Sequence, residues 1–122
     1  MEGAMTESIT FEGRQFRLIS DPQGEVGGDT EFDFHDEGDH VWASYRGGSI
    51  RAGWLIGLVS GDTFQFRYVQ LNRRGETSSG RSIDRIEVLD DGRMRLHENW
   101  AWESKHGAGR SVLEEVRVGK AL

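Results

Sequence analysis

One carboxylate, Glu98, lies inside the most regular stretch of the sequence. From Met94 to Trp102, apolar and polar residues alternate with a period of two, the spacing at which side chains of a β-strand share a face. Glu98 falls on the apolar face with Leu96 and Trp100. A carboxylate buried among apolar groups is costly unless it is hydrogen-bonded, and burial raises its pKa. Such a group can anchor a ligand, act as a general acid, or belong to a structural hydrogen-bond network.

Aromatic and polar residues of other predicted strands are the expected companions of Glu98. Aromatic walls with a few polar anchors are typical of sites for small, partly apolar molecules, although the same residue types also build ordinary cores and interfaces. The candidate ligand-binding residues are Tyr45, Phe66, Tyr68, Gln70, Arg81, Glu98, Trp100 and Trp102. Near the C-terminus, alternation predicts that Glu114 points inward with Val112, which makes Glu114 a second candidate acid or base.

Other reactive constellations are missing from the sequence or incomplete. It contains no cysteine, no G-x-S-x-G and no S-x-x-K motif, which excludes thiol chemistry and those serine nucleophiles. Acids and histidines cluster between Asp29 and His40, but without the spacing of a calcium loop, and a charge run of this kind is typical of a solvated face. The sequence therefore predicts no metal and no cofactor, and an enzyme is the less favoured class of function.

The size and charge of the chain limit the number of domains and the kinds of partner that we expect. A chain of 122 residues fits one domain; we expect residues 13–122 to form it, after an N-terminal segment, residues 1–12, that is partly ordered or derived from cloning. The net charge of −6 disfavours nucleic-acid binding, because that affinity comes from neutralising phosphates. No apolar run approaches the roughly 20 residues of a membrane-spanning helix, and no secretory signal is visible. We expect a cytoplasmic protein with no nucleic-acid or membrane partner.

Turn signals determine the expected fold. Turns that contain glycine, such as those at Gly61 and Gly92, recur about every ten to fifteen residues and leave no room for long helices. Only Ile83–Leu89 has helical spacing, and we interpret it as strand or irregular structure. Short strands joined by short turns predict an all-β fold, a single antiparallel up-and-down barrel of about eight to ten strands, because closure removes exposed edges.

One predicted strand, Ser49–Val59, is apolar on both faces. Ile50, Trp54 and Ile56 fall on one face, with Leu55 and Val59 on the other. A strand of this composition is either covered on both sides or forms an interface between copies. The sequence therefore also predicts self-association, as a homodimer.

Several motifs resemble those of a known family. The stretch GRMRLHENWAW at 92–102, with YRGGSI at 45–50, GWLIG at 53–57 and GRSVLEE at 109–115, is similar to a small bacterial family of proteins of about this length, many of which are named N-acetylglutamate synthase. The resemblance implies a calycin-like β-barrel of the lipocalin and avidin group. An acetyl-CoA acyltransferase usually cradles pyrophosphate at a helix N-terminus, and the glycine pattern at 107–109 is followed by only thirteen residues. The residues therefore do not favour the synthase activity.

These observations lead to three hypotheses. The favoured one is a barrel that binds a small, partly apolar ligand in its interior. The alternative is a homo-oligomeric interaction module whose core is filled. The third is a small enzyme that uses Glu98 or Glu114 as acid or base.

Overall fold

The computed structural model describes residues 9–117. Eight strands pair in sequence order, each antiparallel to the next, and the last pairs with the first, which closes an up-and-down barrel. The predicted all-β barrel of calycin type is confirmed. The strands are β1 (Gln15–Leu18), β2 (Glu31–Glu37), β3 (His40–Gly47), β4 (Ile50–Ser60), β5 (Thr63–Asn72), β6 (Thr77–Val88), β7 (Met94–Trp102) and β8 (Ala108–Glu115).

The segment with helical spacing is part of a long strand. Ile83 and Ile86 are three residues apart in the sequence, but both lie in β6, with Ile86 buried and Ile83 exposed. Pairing with two neighbouring strands outweighs a single apolar repeat, because local preference is weak beside tertiary contacts. Among the described residues, no helix is long and apolar enough to cross a membrane.

Phenylalanine rings fill one end of the barrel. Phe16, Phe34 and Phe64 point inward and are fully or almost fully buried. Phe11, which precedes β1, is also completely buried, and its ring centroid lies 5.4 Å from Phe34 and 5.5 Å from Phe64. This half of the interior is therefore a packed core, and Phe11 closes this end of the barrel.

A long connection crosses the opposite end of the barrel. Residues 19–30, which we call the cover loop, join β1 to β2 and lie along the edge of β8. The Ser20 hydroxyl accepts a hydrogen bond from the Val112 amide, and the Gln23 side chain accepts one from the Arg110 amide, each at 2.9 Å. The cover loop is thus tied down on one side and reaches over the barrel mouth.

Strand β4 differs from the predicted arrangement at its start. A register shift between Ile50 and Ala52 turns Ile50 into the core, whereas alternation alone placed it on the face of Trp54 and Ile56. A β-bulge has this effect because its extra residue reverses the side-chain alternation. Trp54, Ile56 and Leu58 lie on the outer face, 57%, 58% and 57% exposed, so burial on both sides is not found within the single chain.

Candidate functional site

The half of the barrel beneath the cover loop is hollow. Its cavity has a volume of about 50 Å³, and roughly 10–15 Å³ admits one water molecule, so the space suits a few waters or a small ligand. The lining residues come from the cover loop and the strands: Gly24, Glu25, Val26, Phe32, Tyr45, Leu55, Phe66, Tyr68, Gln70, Ser82, Glu98, Trp100 and Trp102.

Glycines on neighbouring strands position the aromatic wall. Gly53 is directly opposite Tyr45 in the ladder, and Gly80 is opposite Tyr68. A Cβ at Gly53 would lie 2.5 Å from the Tyr45 ring, and one at Gly80 would lie 2.5 Å from the Tyr68 hydroxyl. Both rings can therefore lie flat over the next strand only because no side chain stands there.

The two cavity tryptophans follow the same principle. Trp100 is opposite Gly109, where a Cβ would lie 2.6 Å from the indole ring. The Trp100 indole N–H donates to the Ser111 hydroxyl at 2.9 Å, and the ring meets Trp102 edge to face at 5.5 Å between centroids. Trp102 in turn contacts Tyr68 at 5.7 Å. The wall is a connected set of aromatic rings.

A chain of hydrogen bonds runs from the wall to the cover loop. The Tyr45 hydroxyl donates to the Gln70 carbonyl at 2.7 Å, and the Gln70 amide donates to Glu25 at 2.8 Å. Asn72 donates to the other Glu25 oxygen, also at 2.8 Å. Burial by itself would raise the pKa of Glu25, but these two hydrogen bonds, together with the positive charges of Lys105 and Arg74, hold that pKa below its ordinary value. Glu25 is thus an ionised carboxylate that anchors the cover loop at the mouth.

Two acids face each other at the floor of the cavity. Asp84 of β6 and Glu98 of β7 are directly paired across the ladder, and directly opposed side chains approach to about 5 Å between Cβ atoms. Asp84 is 1% exposed, and its Oδ1 accepts a hydrogen bond from the Ser82 hydroxyl at 2.5 Å. Its Oδ2 is buried and has no hydrogen-bond partner within residues 9–117. The Glu98 carboxyl group, directly opposite in the ladder, is the nearest group of the site that could bring a proton to this oxygen.

Burial and mutual repulsion shift both acids in the same direction. Burial raises the pKa of Asp84 to about 7, against the opposing effect of its hydrogen bonds with Ser82 and Glu98. Burial, then the charge of Asp84, raises the pKa of Glu98 well above its ordinary value. Each negative charge disfavours ionisation of the other acid in an apolar surrounding. Near neutral pH the two groups therefore share at least part of one proton.

Seven predicted ligand-binding residues come together at this cavity. Tyr45, Phe66, Tyr68, Gln70, Glu98, Trp100 and Trp102 all contribute to its lining. Burial raises the pKa of both tyrosines, so they present neutral hydroxyls. The alternation predicted for β7 places Met94 and Leu96 in the core and Glu98, Trp100 and Trp102 at the cavity.

The predicted place of Arg81 in the barrel interior is wrong. Arg81 lies on the outer face of β6, because Gly80 and Ser82, on either side of it, are the inward residues. Its guanidinium is exposed and lies 3.6 Å from Glu103. Arg81 therefore cannot neutralise Glu98, and Asp84 is the group that Glu98 meets instead.

The predicted inward orientation of Glu114 is also wrong. Strand β8 buries Ser111 and Leu113, so Glu114 is on the outer face. It accepts hydrogen bonds from Arg95 at 2.7 Å and Arg93 at 2.8 Å, and these two bonds lower its pKa. Glu114 belongs to a surface ion-pair cluster and has no access to the cavity.

Sequence reasoning missed two acids of the site. The spacing of Ile83 and Ile86 is helical and gives no inward direction for Asp84. The signal that does is the period of two shared by Ser82, Asp84 and Ile86, which are the buried residues of this part of β6. Glu25 lies in a loop, for which alternation carries no information, and only the folded chain brings it over Gln70.

The geometry defines a class: closed up-and-down barrels of eight antiparallel strands, an architecture whose interior can hold one small ligand. Comparison with family models places the chain more closely. Residues 9–116 match the family described as avidin-like protein, and the chain belongs to that family. No curated protein matches it.

Proposed function

We propose that this protein binds one small ligand in the cavity beneath the cover loop. The supporting observation is the division of the interior: phenylalanine rings pack one half, whereas the other half keeps a hollow that contains buried polar groups. A filled structural core would gain by replacing those groups with apolar ones. The avidin-like family supports the same interpretation, since biotin–streptavidin binding is an extreme of non-covalent affinity in a barrel of this kind.

The ligand has an apolar part and a polar part. Phe32, Leu55 and Phe66 offer apolar sides, and the indole rings offer flat faces. The Tyr45–Gln70–Glu25 chain at the mouth and the acids at the floor offer oxygen acceptors. A small cyclic amide, urea or amine fits this distribution. Gly109 lies in strand β8, so the glycine pattern at 107–109 does not open a helix that could cradle the pyrophosphate of acetyl-CoA.

Tryptophan emission tests the proposal, because Trp100 and Trp102 line the cavity whereas Trp54 is on the outer face. We expect titration with a panel of small cyclic amides, ureas and amines, biotin included, to change the emission on binding of one equivalent. The change should persist in Trp54→Phe and shrink strongly in Trp100→Phe. An unchanged emission across the whole panel, or a response lost in Trp54→Phe and kept in Trp100→Phe, argues against this function.

We propose self-association as a second function, supported by the outer face of β4. Trp54, Ile56 and Leu58 are joined on β5 by Val69, which is opposite Trp54 and 48% exposed. A contiguous exposed apolar patch usually marks an interaction site, and a second copy with the same patch can cover it about a two-fold axis.

Sedimentation velocity distinguishes a dimer from a monomer. We expect a concentration-dependent dimer that Ile56→Glu converts to a monomer, because a charge cannot be buried unpaired in an apolar interface. Val88→Glu is the matched control, since Val88 and Ile56 are both 58% exposed and Val88 lies at the end of β6. A wild-type protein that stays monomeric at all concentrations, or equal effects of both substitutions, contradicts this proposal.

A further inference from the structure

We propose that the cavity selects a positively charged ligand, an amidinium or ammonium group on a small apolar body, and that Glu98 with Asp84 behind it receives the cationic group. This inference rests on the proposed ligand-binding function and assigns a charge class to the ligand. It follows from the distribution of charge, hydrogen-bonding capacity and aromatic faces around the cavity.

Within residues 9–117, the ionic side chains that line the cavity are acidic. Among the described residues that line it are Glu25 at the mouth and Glu98 at the floor, but no lysine, arginine or histidine. Asp84 adds a third carboxyl group directly behind Glu98. An anionic ligand would meet carboxyl groups at both ends of the space, whereas a cation meets a partner at either end.

The floor also has unused hydrogen-bonding capacity. Ser82 satisfies one oxygen of Asp84, and the other oxygen is buried with no hydrogen-bond partner among the described residues. When both acids are ionised, their remaining lone pairs need donors. An amidinium offers two parallel N–H groups that match a carboxylate, so Glu98 can bind it directly while Asp84 keeps the Ser82 hydrogen bond.

The aromatic wall suits the same charge. Tyr68, Trp100 and Trp102 surround the space above Glu98, and the faces of such rings attract cations. Trp102 already shows this property toward a residue of its own chain, because the Lys105 ammonium lies 4.4 Å from its ring centroid. A cationic ligand therefore gains from the wall as well as from the floor.

Binding of a cation must displace a proton. The ligand's charge favours ionised carboxylates, so the proton that the two acids hold leaves for solvent as the cation enters. The other titratable groups that face Asp84 and Glu98 are Tyr45 of β3, Tyr68 of β5 and Glu25 of the cover loop. The tyrosines stay neutral and Glu25 stays ionised near neutral pH. The buried side chains that strands β1, β2 and β8 turn inward do not titrate; they are Phe16, Phe32, Phe34, Ser111 and Leu113. The released proton therefore comes from the acid pair.

Acetamidine, acetamide and acetate test the inference, because they share one shape and carry positive, zero and negative charge. Indole N–H resonances of Trp100 and Trp102 report entry into the cavity. Those of Trp54 and of Trp42, which lies on the outer face of β3 between His35 and His40, are internal references. At pH 8 we expect acetamidine to bind about tenfold or more tightly than acetamide, the difference typical of a charge-assisted hydrogen bond, and acetate to bind least. Calorimetry at pH 7 in two buffers of different ionisation enthalpy should show proton release with acetamidine and none with acetamide.

Glu98→Gln should reduce acetamidine binding to the level of acetamide. Glu37→Gln is the matched control, because the Glu37 side chain is 77% exposed, and it should leave acetamidine binding unchanged. Equal binding of acetamidine and acetamide by the wild-type protein, or no proton release, overturns the charge preference and leaves the proposed ligand-binding function intact. If none of the three shifts the cavity indoles, and the wider panel also fails to change the emission, both proposals are overturned. The wild-type measurements remain decisive even if Glu98→Gln folds poorly.

Discussion

Replacing Asp84 by Asn is expected to stabilise the protein at pH 8 by on the order of 3 kcal/mol. Asp84 is buried, and its folded-state pKa is raised from 3.8 to about 7. The unfolded chain therefore gives up this proton at lower pH than the folded chain does. An Asn keeps the hydrogen bond from Ser82 and supplies a permanent N–H donor toward Glu98, without a charge to bury.

The direction of the pH dependence follows from the raised pKa. The folded state binds the proton more tightly, so the contribution of Asp84 to stability is fully present below about pH 4 and is lost as the pH rises to about 7. Urea unfolding followed by tryptophan emission at several pH values measures this loss. We expect the wild-type free energy of unfolding to fall across that interval, and Asp84→Asn to lack the part of this fall that Asp84 contributes.

Asp39→Asn serves as the control, because Asp39 is exposed in the turn between β2 and β3. That substitution should leave the pH profile as it is in the wild type. Parallel stability curves for wild type and Asp84→Asn between pH 4 and pH 8 would show that Asp84 is not the buried acid described here. The same result would remove Asp84 as a source of the expected proton release.

Replacing Phe11 by Ala should cost about 3–5 kcal/mol of unfolding free energy, the usual range for removing a fully buried phenylalanine. The Phe11 side chain is completely buried against Phe34 and Phe64 at the closed end of the barrel. Among residues 9–14, Phe11 is the only fully buried residue, so no other described side chain of this segment stands ready to fill the cavity left behind.

Urea unfolding at fixed pH measures this effect, with Phe11→Leu as a conservative comparison expected to lose much less. The cavity beneath the cover loop is at the opposite end of the barrel, so the emission change on ligand binding should survive in Phe11→Ala under folding conditions. A loss of stability below about 1 kcal/mol, the range of an ordinary surface change, would mean that Phe11 does not close the barrel.

The boundary between an N-terminal segment, residues 1–12, and the barrel domain stays a prediction. Residues 1–8 of that segment lie outside the described residues.

The wall of the site could be predicted from sequence because its signal is local. The period of two from Met94 to Trp102 is a property of one strand, and it does not depend on which strands pair with it. Tyr45 and Gly53 both lie in motifs that are visible in the sequence, YRGG at 45–48 and GWLIG at 53–57. That these two residues face each other is known only from the strand pairing, since a turn separates them along the chain.

The orientation of side chains near bulges and strand ends was harder to predict. Alternation carried through Ile50 fails at the β4 bulge, and alternation applied to Glu114 fails because Ser111 and Leu113 are the residues that β8 buries. A shift of one residue reverses every side chain of a strand. Sequence periodicity alone therefore leaves the choice of face uncertain wherever both faces contain apolar residues.

By itself, the sequence determined the barrel class, the turn-rich strand order and the inward indoles beside Glu98, because burial imposes a period of two on each strand separately. Only the tertiary structure decided that Glu98 meets Asp84, that Arg81 and Glu114 lie outside, and that Glu25 and Phe11 close opposite ends. Those relations depend on the register between strands and on the path of loops. Both are set by non-local packing, which no single segment of the chain encodes.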